Sequence, residues 1–245
     1  VFAPATQNTS YGAQGTFGDE SGGLSHRATI TLSSPICRKM NDSIPSLFRT
    51  AITGGIGSGK SHVCRLLEAH GIKVYDCDAA AKHLMHTDPA LQQALRLLVG
   101  EEVYNNKVLQ KQVLATFLLA GEANKQAVND IVHPAVAQDF EQSGYEWLES
   151  AILFDSGFNR RLHFDRVVCV TAPLEVRVQR IMLRDHISRE KALAWIDSQL
   201  PQEEVARRSD YVIVNDGHAD LEAQIANLLS LPTTPLPIKK TNPIQ

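Results

Sequence analysis

The run Gly54-Gly55-Ile56-Gly57-Ser58-Gly59-Lys60-Ser61 constrains this chain more than any other stretch. It satisfies G-x-x-x-x-G-K-[ST], the pattern of a phosphate-binding P-loop. Glycines let the backbone double back and bring successive N–H groups close to phosphate oxygens. A helix starting at about Lys60 aims its free N–H groups and positive dipole end at the same anion. Lys60 then reaches the terminal phosphates of a nucleotide, and the Ser61 hydroxyl is placed to ligate Mg²⁺. The flanks agree. Ala51-Ile52 precedes as a strand, and His62 to His70 follows with apolar residues at helical spacing and a stop at Gly71.

The other classes fall away on composition. A formal net charge of −3 over 245 residues is no basis for a nucleic-acid binder. Apolar runs stay well short of the roughly 18 residues of a membrane span. The first residues lack the basic-then-apolar order of a secretory signal. Cys37, Cys64, Cys77 and Cys169 are scattered without metal-ligand spacing, as expected of reduced thiols in a cytoplasmic protein.

Residues 1–48 are rich in Gly, Ser, Thr, Asn and Pro, and are expected to be a disordered extension with a dispensable stretch before Met40. A single domain is expected over 49–231, with a flexible tail over 232–245. Its second strand is Ile72-Lys73-Val74-Tyr75, ending in Asp76-Cys77-Asp78. Acids at the carboxyl end of a parallel strand face the crevice where ligands bind. Either aspartate could instead cap the helix expected from Ala79, and Asp78 could do so alone.

Residues 79–143 read as an almost wholly helical insertion that would hold an acceptor substrate. Asp88-Pro89 opens one helix and Gly100 closes it, Val108 to Leu119 is an amphipathic run, and His133-Pro134 is expected to break a helix in two. The lone His133 would ordinarily be a turn residue beside the cleft. Trp147 to Phe154 reads as a buried strand ending at Asp155. Glu149 and Asp155 both qualify as the acid on the metal side, and spacing does not choose between them. Arg166 to Thr171 is the fourth strand. Arg177, Arg180 and Arg184 share one side of the helix that follows, leading into a cover over the phosphates within a lid region at 184–200. Tyr211 to Val214 is the fifth strand and runs into Asn215.

Taken as an ordered set, these residues closely resemble the dephospho-coenzyme A kinase family over about residues 49–231. The resemblance rests on Thr53 to Ser61, Asp76-Cys77-Asp78, His133-Pro134, Ile152-Leu153-Phe154-Asp155, Arg180 with Arg184-Asp185, and Asp210 to Asn215. It implies an α/β P-loop NTPase fold with a five-stranded parallel sheet, a helical acceptor-binding insertion and a small lid. The implied reaction is ATP-dependent phosphorylation of the ribose 3′-hydroxyl of dephospho-coenzyme A, with Mg²⁺. By the same resemblance Asp78 orients or deprotonates that hydroxyl, with Asp76 and His133 on the acceptor side. Gly55 to His62 and Arg184 contact ATP, and Asn215 lies near its adenine. Ser61 with Glu149 or Asp155 serves the metal, and a monomer or weak homo-oligomer is expected.

The chain departs from the family pattern at His62, usually threonine; at Gln110-Lys111, usually Asp-Arg; and at Glu149, more often aspartate. Another small-molecule kinase, a GTP-dependent switch and a nucleotide-binding scaffold without turnover are the rival readings. The switch would need Asn-Lys-x-Asp, and Asn124-Lys125-Gln126-Ala127 lacks the aspartate.

Overall fold

A computed structural model of the chain describes residues 47–233. The expected extension over residues 1–46 and the tail beyond Thr233 lie outside the described residues. Five strands form one parallel sheet: β1 (Thr50–Thr53), β2 (Val74–Asp76), β5 (Trp147–Glu149), β6 (Arg166–Thr171) and β7 (Tyr211–Val214), in the order β2-β5-β1-β6-β7. Ala51, Ile52, Leu148, Val168, Val170 and Ile213 are wholly buried, as strands covered on both faces require. From β1 the chain first crosses to the β2 edge and only later fills the β6–β7 side. The turn after β1 therefore opens at the point where strand order reverses, where open α/β sheets bind ligands.

Helices cover both faces. On one side α1 (Lys60–Ala69) and α9 (Leu221–Ser230) bury Val63, Leu67, Ile225 and Leu228 against the sheet. On the other lie α2 (Cys77–Thr87), α3 (Pro89–Val99), α4 (Lys111–Leu119) and α5 (Glu122–Ser143), whose core includes Leu91, Leu95, Val132, Val136 and Phe140. A third cluster joins α6 (Leu174–Asp185) to α7 (Arg189–Asp197) through Val178, Ile181, Ala192 and Ile196, and α8 (Gln202–Arg207) leads back to the sheet. The lid region is thus largely a packed helix, with a bidentate Arg189–Glu175 pair tying its start to α6.

Several sequence expectations need correction. His133-Pro134 does not split a helix: α5 runs unbroken for 22 residues with Pro134 inside it. The proline forfeits one backbone hydrogen bond, but burial of Val128, Val132, Val136 and Phe140 along one continuous face outweighs the cost of about 3 kcal/mol. The insertion is not all helix either. Tyr104–Asn105 (β3) and Val108–Leu109 (β4) form a small antiparallel hairpin, so the helix expected from Val108 starts at Lys111. Asn106 and Lys107 both have positive φ, the conformation a tight hairpin turn demands.

Strand β5 stops at Glu149; the Ser150 N–H still donates to the Ile52 carbonyl of β1 at 2.9 Å, and Ala151 to Gly157 then form turns. Leu153 is buried in the helical-side core, which is why the apolar run looked like more strand. Helix α2 begins at Cys77, two residues earlier than expected, and its cap is Asp76 rather than Asp78. At the ends of the domain, Phe48 and Pro232 are anchored: Arg166 lies over the Phe48 ring at 4.9 Å and donates to the Pro232 carbonyl at 2.8 Å.

Candidate active site

The turn between β1 and α1 is a glycine-rich loop whose shape is set by three positive φ angles, at Gly54, Gly57 and Gly59. Side chains are excluded as well as strained there. A Cβ on Gly57 would lie 2.7 Å from the Arg177 carbonyl, and one on Gly59 would collide with the Asn215 amide.

Outward-facing carbonyls of the loop are held from behind. Arg177 Nε donates to the Ile56 carbonyl at 2.9 Å. Arg180 donates to the Ser58 carbonyl at 3.2 Å, and Asn215 Nδ2 donates to the same oxygen at 2.9 Å. In a planar trans peptide the C=O and the next N–H point opposite ways. Holding Ile56 and Ser58 C=O outward therefore turns the N–H groups of Gly57 and Gly59 inward, beside those that open α1. The result is a concave row of donors suited to phosphate oxygens.

Lys60 is buried under this row. Its Nζ donates to the Gly54 carbonyl at 2.7 Å and lies 3.8 Å from Glu149 Oε1. Burial holds the ammonium below its usual range, and the Glu149 carboxylate opposes that effect. Burial likewise pushes the Glu149 carboxyl up; Lys60 pulls it back, while Asp76 and Asp78 add to the rise. Strand register explains the proximity of the acids, since Asp76 on β2 pairs directly with Glu149 on β5.

The two aspartates have separate local roles. Asp76 Oδ1 accepts from the N–H groups of Asp78 and Ala79, each at 2.9 Å, and caps α2. Asp78 stands in the first turn of that helix, exposed and paired with Lys82 one turn on. Its second oxygen is not used in that pair, and neither oxygen serves the helix backbone.

One cleft of about 610 Å³ collects these groups. Ile56, Gly57, Gly59, Lys60, Ser61 and His62 of the loop and α1 line it, together with Asp76, Asp78 and Glu149 from the strand ends, Arg180 and Asn215 beside the loop, and Arg184. Gly55 and Ser58 are buried behind that lining. Two expected site residues stand elsewhere. Asp155 accepts the Leu200 N–H at 2.8 Å and does not line the cleft, so of the two acids the structure brings Glu149 to it. His133 lies edge-on to Phe158 with ring centroids 6.1 Å apart and is also absent from the lining; burial lowers its imidazole below the ordinary value.

Arg65, Arg177, Arg180 and Gln199 touch the site or its loop without having been placed there from sequence as site residues. Arg177 and Arg180 carried a signal, a cationic stripe on one helix side. Gln199 carried none, because only the tertiary fold sets it against Ile56.

Ser61 and Glu149 both present hard oxygen donors to the cleft, which fits Mg²⁺ shared with phosphate oxygens. Among the described residues no group of three or more His, Cys, Asp or Glu is placed to hold a metal alone. Such an ion would be held jointly with a nucleotide.

The family model for dephospho-CoA kinase matches residues 49–220. A dephospho-CoA kinase of Bacteroides fragilis is 44% identical over 189 residues, covering 74% of this chain and 91% of that protein. One from Thermus thermophilus is 37% identical over 186 residues, covering 73% and 89%. Among solved structures, a protein from Thermus thermophilus aligns with a TM-score of 0.63 at 34% identity, covering 74% of this chain and 95% of its own. The dephospho-CoA kinase of Campylobacter jejuni aligns at 0.52 with 23% identity and supports the fold.

Proposed function

The chain belongs to the dephospho-CoA kinase family, and on that premise we propose the following division of labour in its cleft. The enzyme transfers the γ-phosphoryl group of ATP to the ribose 3′-hydroxyl of dephospho-CoA, the last step of coenzyme A synthesis. Inward N–H groups of Gly57, Gly59 and the start of α1 hold the phosphate oxygens. Lys60 adds a positive charge that little water screens, and the dry setting strengthens it. His62 stands by the α-phosphate. Arg184 approaches the transferring group from the lid side, and Asn215 braces the loop beneath it as well as standing near the adenine.

Ser61 and Glu149 would hold Mg²⁺ together with the nucleotide, and the ion would supply neutralisation of charge on the phosphate oxygens. Asp78 receives the acceptor hydroxyl and takes its proton as the new O–P bond forms. Its freedom from helix capping is what supports this assignment over Asp76. Asp76 fixes the helix that carries Asp78 and so serves the acceptor indirectly. The helical insertion, with His133 in α5, is read as the acceptor lobe.

The observation that carries this function is the placement of one acid pair and one braced phosphate loop on the same cleft. The test is ADP release from ATP with dephospho-CoA, adenosine, AMP or shikimate as acceptor, with the product confirmed by mass. Release with dephospho-CoA alone is expected; equal release with and without it would sink the assignment. A cytoplasmic monomer or weak homo-oligomer is the companion proposal; the free thiols at Cys64, Cys77 and Cys169 bear on the compartment alone. No helix among the described residues is long and apolar enough to cross a membrane. Sedimentation of the purified chain tests the oligomeric part.

A further inference from the structure

We propose that Gln199 is a positioning residue for phosphoryl transfer, which seats Lys60 by fixing the Gly55–Ile56 peptide from outside the loop. The inference rests on the kinase assignment above. Gln199 Oε1 accepts the Ile56 N–H at 2.7 Å. The carbonyl of that same peptide belongs to Gly55 and points the opposite way. There it accepts from Ser58 N at 3.2 Å and lies 3.5 Å from Lys60 Nζ. A pull on the N–H from one side thus sets the oxygen that closes the loop on Ser58 N–H and gives Lys60 Nζ a second, longer contact beside its 2.7 Å bond to the Gly54 carbonyl.

Ile56 is held at three points by the region after β6. Its N–H goes to Gln199, its carbonyl to Arg177, and its side chain packs into the α6–α7 cluster. No space remains for slack: a Cβ on Gly55 would lie 3.3 Å from Gln199 Oε1 and would collide with the Arg177 guanidinium. Gln199 is itself fixed by its neighbours. Its N–H donates to the Ile196 carbonyl at 3.2 Å, and the next N–H, of Leu200, donates to Asp155 at 2.8 Å. Asp155 thereby acts at second hand, anchoring the segment that presents Gln199. Any displacement of the segment after α7 would be transmitted to the loop through Ile56.

The test uses Gln199→Met, which keeps length and volume but offers only a weak acceptor, and Gln199→Glu, which keeps a strong one. Expected for Gln199→Met is a roughly 10-fold or greater fall in kcat, the scale for loss of one hydrogen bond of about 1.5 kcal/mol. The KM for dephospho-CoA should hold, and the melting temperature should fall by no more than about 5 °C, the scale for one lost hydrogen bond. Gln199→Glu should restore kcat at saturating ATP, with any added charge showing in the KM for ATP. Asp155→Asn, which still offers an acceptor oxygen, should stay near wild type, and Asp155→Ala should resemble Gln199→Met.

A readout independent of turnover is amide hydrogen exchange at Ile56 in the ligand-free protein. It should be slow in wild type and in Gln199→Glu and fast in Gln199→Met. Equal exchange in all three would overturn the proposal whatever the enzyme's substrate. So would wild-type kcat in Gln199→Met, or a Gln199→Glu no better than Gln199→Met. Wild-type failure to turn over dephospho-CoA would instead count against the kinase assignment, leaving the exchange result to decide the loop contact.

Discussion

Arg180 and Asn215 grip one backbone oxygen together and each other besides. Both donate to the Ser58 carbonyl, and Arg180 Nη2 donates to Asn215 Oδ1 at 3.1 Å. An asparagine expected beside the adenine thus also braces the phosphate loop from below, and it is only 5% exposed. Asn215→Ala should strand one guanidinium donor and loosen the Ser58–Gly59 peptide. A fall of roughly 10- to 100-fold in kcat/KM for ATP is expected, from about 1.5–3 kcal/mol for a charged hydrogen bond. The Arg180→Ala/Asn215→Ala double variant should lose less than the product of the single losses, because the two residues share one network. Strict additivity would show that they act separately.

Lys60→Ala removes the buried ammonium beside Glu149. Turnover is expected to fall roughly 10²–10³-fold, the scale for deleting one preorganised electrostatic contact. Initial rates at saturating ATP decide it, and wild-type turnover would mean that the cleft does not handle the transferring phosphate.

Asp76 and Asp78 should separate cleanly. Asp78→Asn leaves both capping bonds of α2 in place and disrupts only an exposed pair with Lys82, so stability should barely move. Turnover should fall roughly 10²–10⁴-fold with ATP binding intact, as for loss of a general base. Asp76→Ala should instead cost about 1 kcal/mol of stability through the lost cap. Thermal melts and ATP titrations on both variants distinguish the roles; normal turnover in Asp78→Asn would leave that residue outside the chemistry.

His133 should make the fold sensitive to acid. Burial, with Arg161 assisting, lowers its folded-state value below the ordinary 6.5. Between those two values the unfolded chain binds more protons than the native one, so stability rises with pH there. The contribution is complete above 6.5 and is lost as pH falls through the folded value. His133→Gln should flatten the melting-temperature profile below 6.5 and leave it unchanged above. Parallel profiles for the two proteins would exclude His133 as the source.

Local chemistry made much of this molecule legible without coordinates. The β6 and β7 spans, the start of α1 at Lys60 and the Asp88-Pro89 opening of α3 all coincide with what period, glycine and capping residues indicate. The phosphate loop was legible for the same reason, since its glycines and Lys60 act within eight consecutive residues. The single helix α5 and the short β5 were not. Pro134 and the apolar run after Glu149 carry local preferences that burial against distant helices overrode.

The sequence by itself determined that a nucleotide-phosphate loop follows the first strand and that two acids close the next strand along the chain. Tertiary structure alone decided which acid faces the cleft, because Glu149 ends a strand in register with Asp76 while Asp155 lies past a turn and holds Leu200. It also decided what braces the loop. Arg177, Arg180, Gln199 and Asn215 lie more than a hundred residues from the peptides they hold. Hydrogen bonds over such separations form only when packing brings the partners within about 3 Å, and residue order does not encode that distance.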